Sequence, residues 1–127
     1  MRRGQVVALV LAILLLAGCG ASKSYTLVST SVYVVGGEKL KGSSTLKATL
    51  TVGDVKINDG TSVELVYAGT TYRGTVHKPY VFWDADPYIF ADASDMYTII
   101  SGGGNSISLS FTAQINGIWY ESVQLYE

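Results

Sequence analysis

The chain has 127 residues, nine Lys/Arg against ten Asp/Glu, a formal net charge of −1, one cysteine and one histidine. A near-neutral chain with no extended basic cluster offers no electrostatic footprint for nucleic acid. A single cysteine excludes an internal disulfide, and a single histidine cannot build a typical zinc site.

In chain order the first segment is Met1-Arg2-Arg3, followed by an uncharged apolar stretch from Val6 to Ala17 and then Leu16-Ala17-Gly18-Cys19. A charged start, an apolar run and a small-residue cleavage site are the parts of an export signal. The run is shorter than the roughly 20 apolar residues a membrane-spanning helix needs. Leu16-Ala17-Gly18-Cys19 resembles the lipobox of bacterial lipoproteins. The resemblance implies a signal peptide over 1–18, removed before Cys19, with a diacylglycerol on the Cys19 thiol and an acyl chain such as palmitate on the new amino terminus. Several acyl chains anchor stably where one binds only marginally, because each buried CH₂ contributes about 0.8 kcal/mol. The expected address is therefore the cell envelope, held to a membrane by lipid. Gly20 stands where an aspartate would resemble an inner-membrane retention signal, which favours the outer membrane in an organism that has one.

Without residues 1–18 the chain keeps 109 residues, and its basic count falls to seven against ten acids, a formal charge of −3. Residues 19–24 read as a lipidated tether. From Cys19 to Lys23, at about 3.5 Å per residue, it holds the adjoining domain within roughly 20 Å of the lipid. That domain, residues 25–127, is large enough to bury a core without disulfides.

No segment of the domain shows helical periodicity. Tyr25 to Val35 is rich in Val, Thr and Tyr and stops at Gly36-Gly37. Leu46, Ala48, Leu50 and Val52 alternate with polar neighbours, as in a strand buried on one face. Asn58-Asp59-Gly60 is a turn signal. Val63, Leu65 and Tyr67 share one face, Ala68-Gly69-Thr70 turns the chain, and Tyr72, Gly74 and Val76 share the next face, which predicts a hairpin. Tyr97 to Ser101 forms a further strand, with one or two pieces between Tyr80 and Ala91. Gly102-Gly103-Gly104-Asn105 lacks the Lys-Ser/Thr of a phosphate loop and reads as a turn. Ile107, Leu109, Phe111, Ala113 and Ile115 alternate without error with polar residues, which places Phe111 in the core. Asn116-Gly117 then turns the chain into a last strand, Ile118 to Tyr126. The sum is an all-β fold of seven to nine short antiparallel strands: a β-sandwich, with a small barrel as the alternative. The pattern is loosely similar to bacterial immunoglobulin-like domains, although the buried cysteine pair of that family is missing.

The compositional anomaly is Tyr80 to Tyr97, YVFWDADPYIFADASDMY, which holds six of the fourteen aromatic residues and four of the ten acids. Pro87 cannot donate to a ladder, so the stretch is an edge strand or a loop. Aromatic rings beside carboxylates suit a glycan or peptide surface, and Trp83, Tyr88, Asp84 and Asp86 are the candidate ligand-binding residues. An alternative is Ca²⁺, since Asp84, Asp86, Asp92 and Asp95 occupy positions 1, 3, 9 and 12 of a twelve-residue loop, although position 6 is Ile89 rather than glycine. The plain structural reading sends Phe82, Trp83, Ile89 and Phe90 into the core and leaves the aspartates capping turns.

No catalytic constellation stands out. His77 precedes Lys78-Pro79 at a strand end and reads as an exposed turn residue, no G-x-S-x-G elbow is present, and Glu64 and Glu121 are mid-strand carboxylates of unknown separation. The expected function is a non-catalytic binding or assembly module contacting another envelope protein or a glycan. A calcium-dependent binding domain comes second and a small hydrolase third.

Overall fold

The computed structural model describes residues 22–42 and 46–127. Cys19, the lipobox and the signal segment lie outside the described residues. Nine strands succeed one another: β1 (Lys23–Val34), β2 (Lys39–Gly42), β3 (Ala48–Val52), β4 (Ser62–Tyr67), β5 (Thr70–His77), β6 (Tyr80–Trp83), β7 (Asp95–Gly103), β8 (Ser106–Ile115) and β9 (Ile118–Tyr126). There is no helix among the described residues, and so none long and apolar enough to cross a membrane.

Every pairing is antiparallel and joins neighbours in space, and β9 returns to β1 through Leu27↔Tyr126 to Val34↔Tyr120. That last pairing closes β1 and β3 to β9 into an eight-stranded barrel, with β2 as an extra strand on the far edge of β1. The structure is therefore the small barrel rather than the sandwich. Both architectures alternate apolar and polar residues along each strand, and only the closing pair separates them.

The alternation sorts residues between lumen and wall. Leu50, Leu65, Ile107, Leu109, Phe111 and Tyr126 are wholly buried. Eight strands give a lumen just wide enough for side chains to fill, and here they fill it. Ile57, from the loop between β3 and β4, joins this core at one end. Ile89 and Phe90, from the segment between β6 and β7, pack against it at the other. The wall carries Thr49, Thr51, Glu64, Arg73, Ser108, Ser110, Gln114 and Glu121, interrupted by exposed apolar residues such as Val66, Tyr80, Phe82 and Tyr97.

Two of the four two-residue turns among the described residues share one geometry. Tyr67↔Thr70 and Ile115↔Ile118 leave two-residue loops, Ala68-Gly69 and Asn116-Gly117, in which all four residues have φ between 50° and 81°. That is the left-handed turn whose twist matches the flanking strands. A bulge between Leu27 and Ser29 shifts the register of β1. Before it Tyr25 and Leu27 point inward; after it Thr30 and Val32 do, opposite the buried Gln124 and Ser122.

The strand directions define two ends. Lys23 and Tyr25 bond to the carbonyl of Gly104, at 2.8 and 2.7 Å, so the amino-terminal end of β1 lies with the β7–β8 turn and the 53–61 loop. Segment 84–94 and the Asn116-Gly117 turn lie at the other end.

Candidate functional site

At the end remote from Lys23, β6 and β7 separate. Their ladder consists of Tyr80↔Ile99 and Val81↔Thr98 alone. Beyond it Phe82 and Trp83 remain paired to Thr75 and Gly74 of β5, while Met96 and Tyr97 remain paired to Ala113 and Thr112 of β8. The intervening chain leaves the wall as a loop, as Pro87 requires, and Pro87 itself is buried.

The loop divides its aromatic residues. Ile89 and Phe90 turn inward, and the Phe90 ring lies 6.5 Å from that of Tyr120. Tyr88 turns out and is 69% exposed, although its backbone N–H reaches the Tyr72 hydroxyl at 3.3 Å. Asp92 has φ 58°, a left-handed conformation that aspartate tolerates better than most residues.

Two adjoining grooves result. One, of about 300 Å³, is lined by Asp86, Tyr88, Phe90, Asp92, Asp95 and Met96, with Pro87, Ala93 and Ser94 between them. The other, also about 300 Å³, runs along the open seam and is lined by Tyr80, Phe82, Trp83, Met96 and Tyr97 together with Val81, Thr98 and Asp86. Asp86 and Met96 line both, so the two grooves adjoin, and together they are called the trench.

The candidate residues separate under this geometry. Tyr88 and Asp86 line the same groove. Asp84 is exposed but lines neither groove; its N–H continues the pairing to β5 by bonding to the Arg73 carbonyl at 2.8 Å. Trp83 lines the second groove but is not the exposed ring that was expected. It is half-buried against the core, its ring is stacked 6.5 Å from Phe111, and its indole N–H donates to Thr98 Oγ1 at 2.8 Å. Gly74 makes the room for it: a Cβ there would come within 3.0 Å of the indole and 2.8 Å of the Phe82 carbonyl.

Phe82, expected among the core plugs, instead faces out at 59% exposure and stacks on His77 at 4.8 Å. Tyr80 meets Tyr97 edge-on at 6.1 Å, and Tyr97 meets Trp119 at 6.2 Å. This outer aromatic row flanks the seam and was not legible as a surface. Its signal was an alternation, Tyr80/Phe82 against Val81/Trp83, in which both faces are apolar. Tyr97 and Trp119 stand on strands either side of β8 and meet across it, which accounts for the near-complete burial of the wall residue Thr112.

Among the described residues no group of three or more His, Cys, Asp or Glu is placed to hold a metal ion, so Asp84, Asp86, Asp92 and Asp95 are not gathered as a calcium loop would gather them. Glu64 accepts from Arg73 Nε at 3.1 Å and Glu121 from Ser110 Oγ at 2.6 Å. These carboxylates sit on β4 and β9, with β3 and β1 between them in the sheet.

Two lumen phenols are shifted. Burial raises Tyr126, which donates to Gln124 Oε1 at 2.6 Å, and the neighbouring Tyr67 adds to the rise. Burial also raises Tyr67, with Tyr72 adding to it. Both phenols are buried, and neither lines the two grooves.

Comparison with protein families, with curated proteins and with solved structures finds no match.

Proposed function

We propose that this protein is a lipid-anchored, non-catalytic binding module of the cell envelope, which contacts another envelope protein or a glycan through the trench between β6 and β7. The observation that carries the reading is Tyr88, 69% exposed beside Asp86, Asp92 and Asp95 in a groove on the barrel end. A large ring left in water among hydrogen-bond acceptors costs solvation in the free protein and is recovered when a partner covers it.

The placement of the trench supports the same reading. Lys23 leaves β1 at the opposite end of the barrel, bonded to Gly104. A lipid on Cys19 sits only a few residues before Lys23, so it would anchor that end and turn the trench away from the membrane. The filled lumen argues against a carrier that swallows its ligand, since Leu50, Leu65, Ile107, Leu109 and Phe111 occupy the space a guest would need. His77 stacks on Phe82 on the outer wall and lines neither groove, so a hydrolytic reading has no histidine base within the trench.

The experiment is crosslinking of the full lipidated protein in its native envelope, with identification of neighbours, alongside fatty-acid labelling of wild type and Cys19→Ser. The expected result is labelling of wild type only, since a hydroxyl does not replace the thiol as acyl acceptor, and a neighbour recovered from wild type that Tyr88→Ala fails to capture. Recovery of wild type as an unlabelled soluble protein, or capture indifferent to Tyr88, overturns the reading.

A further inference from the structure

Building on that reading, we infer that the occupant of the trench is an extended, basic segment of polypeptide, which the seam binds through main-chain hydrogen bonds and the loop through charge. The juxtaposition is an unpaired stretch of sheet flanked by exposed rings and rimmed by carboxylates.

In a strand the N–H and C=O of one residue point to the same side, and successive residues alternate. Asp84 N–H bonds toward β5, to Arg73, so the main-chain groups of Trp83 point away from β5 into the seam. Ile100 N–H bonds toward the β6 side, to the Pro79 carbonyl, so by the same alternation the main-chain groups of Met96 point into the seam from β7. The ladder ends at Val81↔Thr98, one step short of the pair Trp83 and Met96 would have made. Each edge therefore turns the N–H and C=O of one residue, Trp83 on β6 and Met96 on β7, toward the seam, the kind of contact that strand addition to a sheet edge uses.

Charge selects among extended chains. Segment 80–97 holds four aspartates and no Lys or Arg. Asp86, Asp92 and Asp95 line the trench, and Arg73, on the strand that pairs with β6, is held by Glu64 at 3.1 Å. Among the described residues none of these three aspartates is in an ion pair, and such carboxylates favour a cationic occupant over an acidic one. Tyr88, Phe82 and Tyr97, at 69%, 59% and 43% exposure, give apolar flank for the alternate side chains of a strand. A sugar would use the rings and the carboxylates but leave the Trp83 and Met96 main-chain groups unused, and it has no need of net positive charge.

The test uses the full lipidated chain in detergent micelles. The probes are acetylated, amidated peptides of about eight residues, enough to span the trench at roughly 3.3 Å per residue. In one library Lys or Arg alternates with Val, Thr or Leu; in a matched library Glu replaces the basic residues. The basic library is expected to be retained about tenfold over the acidic one at low salt, with the advantage shrinking as ionic strength rises. N-methylation of alternate backbone nitrogens removes donors without touching charge, and should lower retention by roughly tenfold. Asp86→Asn with Asp95→Asn should reduce the basic preference while leaving the melting temperature within a few degrees. Equal retention of both libraries, indifference to N-methylation, or an unchanged preference in the double variant overturns the inference. Retention of neutral oligosaccharides that is lost in Tyr88→Ala, without selection of any peptide, removes the polypeptide and leaves the binding module standing. Loss of both peptide and oligosaccharide capture removes the two together.

Discussion

Trp83 stacks on Phe111 across the lumen, with ring centroids 6.5 Å apart and 20° between their planes, and anchors its indole N–H on Thr98. The pair ties the seam strand β6 to β8, the strand with the most regular alternation in the chain. Each truncation to Ala should cost roughly 3–5 kcal/mol, the usual cost for a large aromatic lost from a core, with Trp83 toward the lower figure because it is only half-buried. The double variant is expected to fall short of additivity by about 0.5–1.5 kcal/mol, the coupling typical of aromatic pairs. Denaturant titration of the four proteins measures it. Strict additivity would mean that the two rings do not support one another.

The same pair shows where the sequence is readable. Phe111 sits mid-run in an unbroken alternation of ten residues, and its burial follows directly. Trp83 lies in a run apolar on both faces, and its inward direction depends on Gly74, a residue on another strand. Closure of the barrel is likewise non-local, since Leu27 pairs with Tyr126 at the far end of the chain. The bulge at Val28 moves the inward set of β1 from odd to even residues, which masks the alternation that would have predicted it. β2 was announced by no pattern, because Lys39 to Gly42 carries one apolar residue in four. In the candidate site, crowding of rings and acids in 80–97 marked the segment that leaves the wall as a loop, but which rings stay in water is decided by packing against Tyr120 and Phe111.

The hairpin turns Ala68-Gly69 and Asn116-Gly117 differ in chemistry at the same geometry. Asn116-Gly117 supplies residues that accept positive φ readily, whereas Ala68 holds φ 50° with a Cβ that opposes it. Ala68→Asn is expected to stabilise the protein by about 0.4–1 kcal/mol, because asparagine relieves that strain without changing a packed contact. Chemical denaturation should show a higher midpoint with an unchanged slope. A lower midpoint would mean that the Ala68 methyl makes a contact worth more than the strain.

The lumen phenols make stability fall on the alkaline side. Tyr126 and Tyr67 both have pKa values raised above the ordinary 10.0. Above pH 10 the unfolded chain loses these protons while the folded barrel retains them, so the unfolded state binds fewer protons and gains. The contribution is fully present below pH 10 and is lost above it, at up to about 1.4 kcal/mol per pH unit for each group that stays protonated. Spectrophotometric titration should show tyrosines that ionise only as the barrel unfolds. Tyr67→Phe should make the alkaline slope shallower, and an unchanged slope would show that this phenol ionises freely in the folded protein.

Tyr88 and Trp83 stand on opposite sides of the division between contact and scaffold. Tyr88 contributes its backbone N–H to Tyr72, but its ring is 69% exposed, so its side chain supports little of the fold. Tyr88→Ala retains that N–H and should leave the melting temperature within a few degrees, as surface truncations do. If the ring is an anchor for a partner, its loss costs capture about 2 kcal/mol or more, close to thirtyfold in affinity. Trp83→Ala should instead lower the melting temperature, with capture falling only as far as the folded fraction does. Measuring both variants for thermal unfolding and for partner capture distinguishes the two roles. A Tyr88→Ala protein that captures normally removes the trench as the binding face. A Tyr88→Ala protein that melts early would show instead that the loop of 84–94 needs the ring to stay seated on the barrel, and that the exposed face serves the fold.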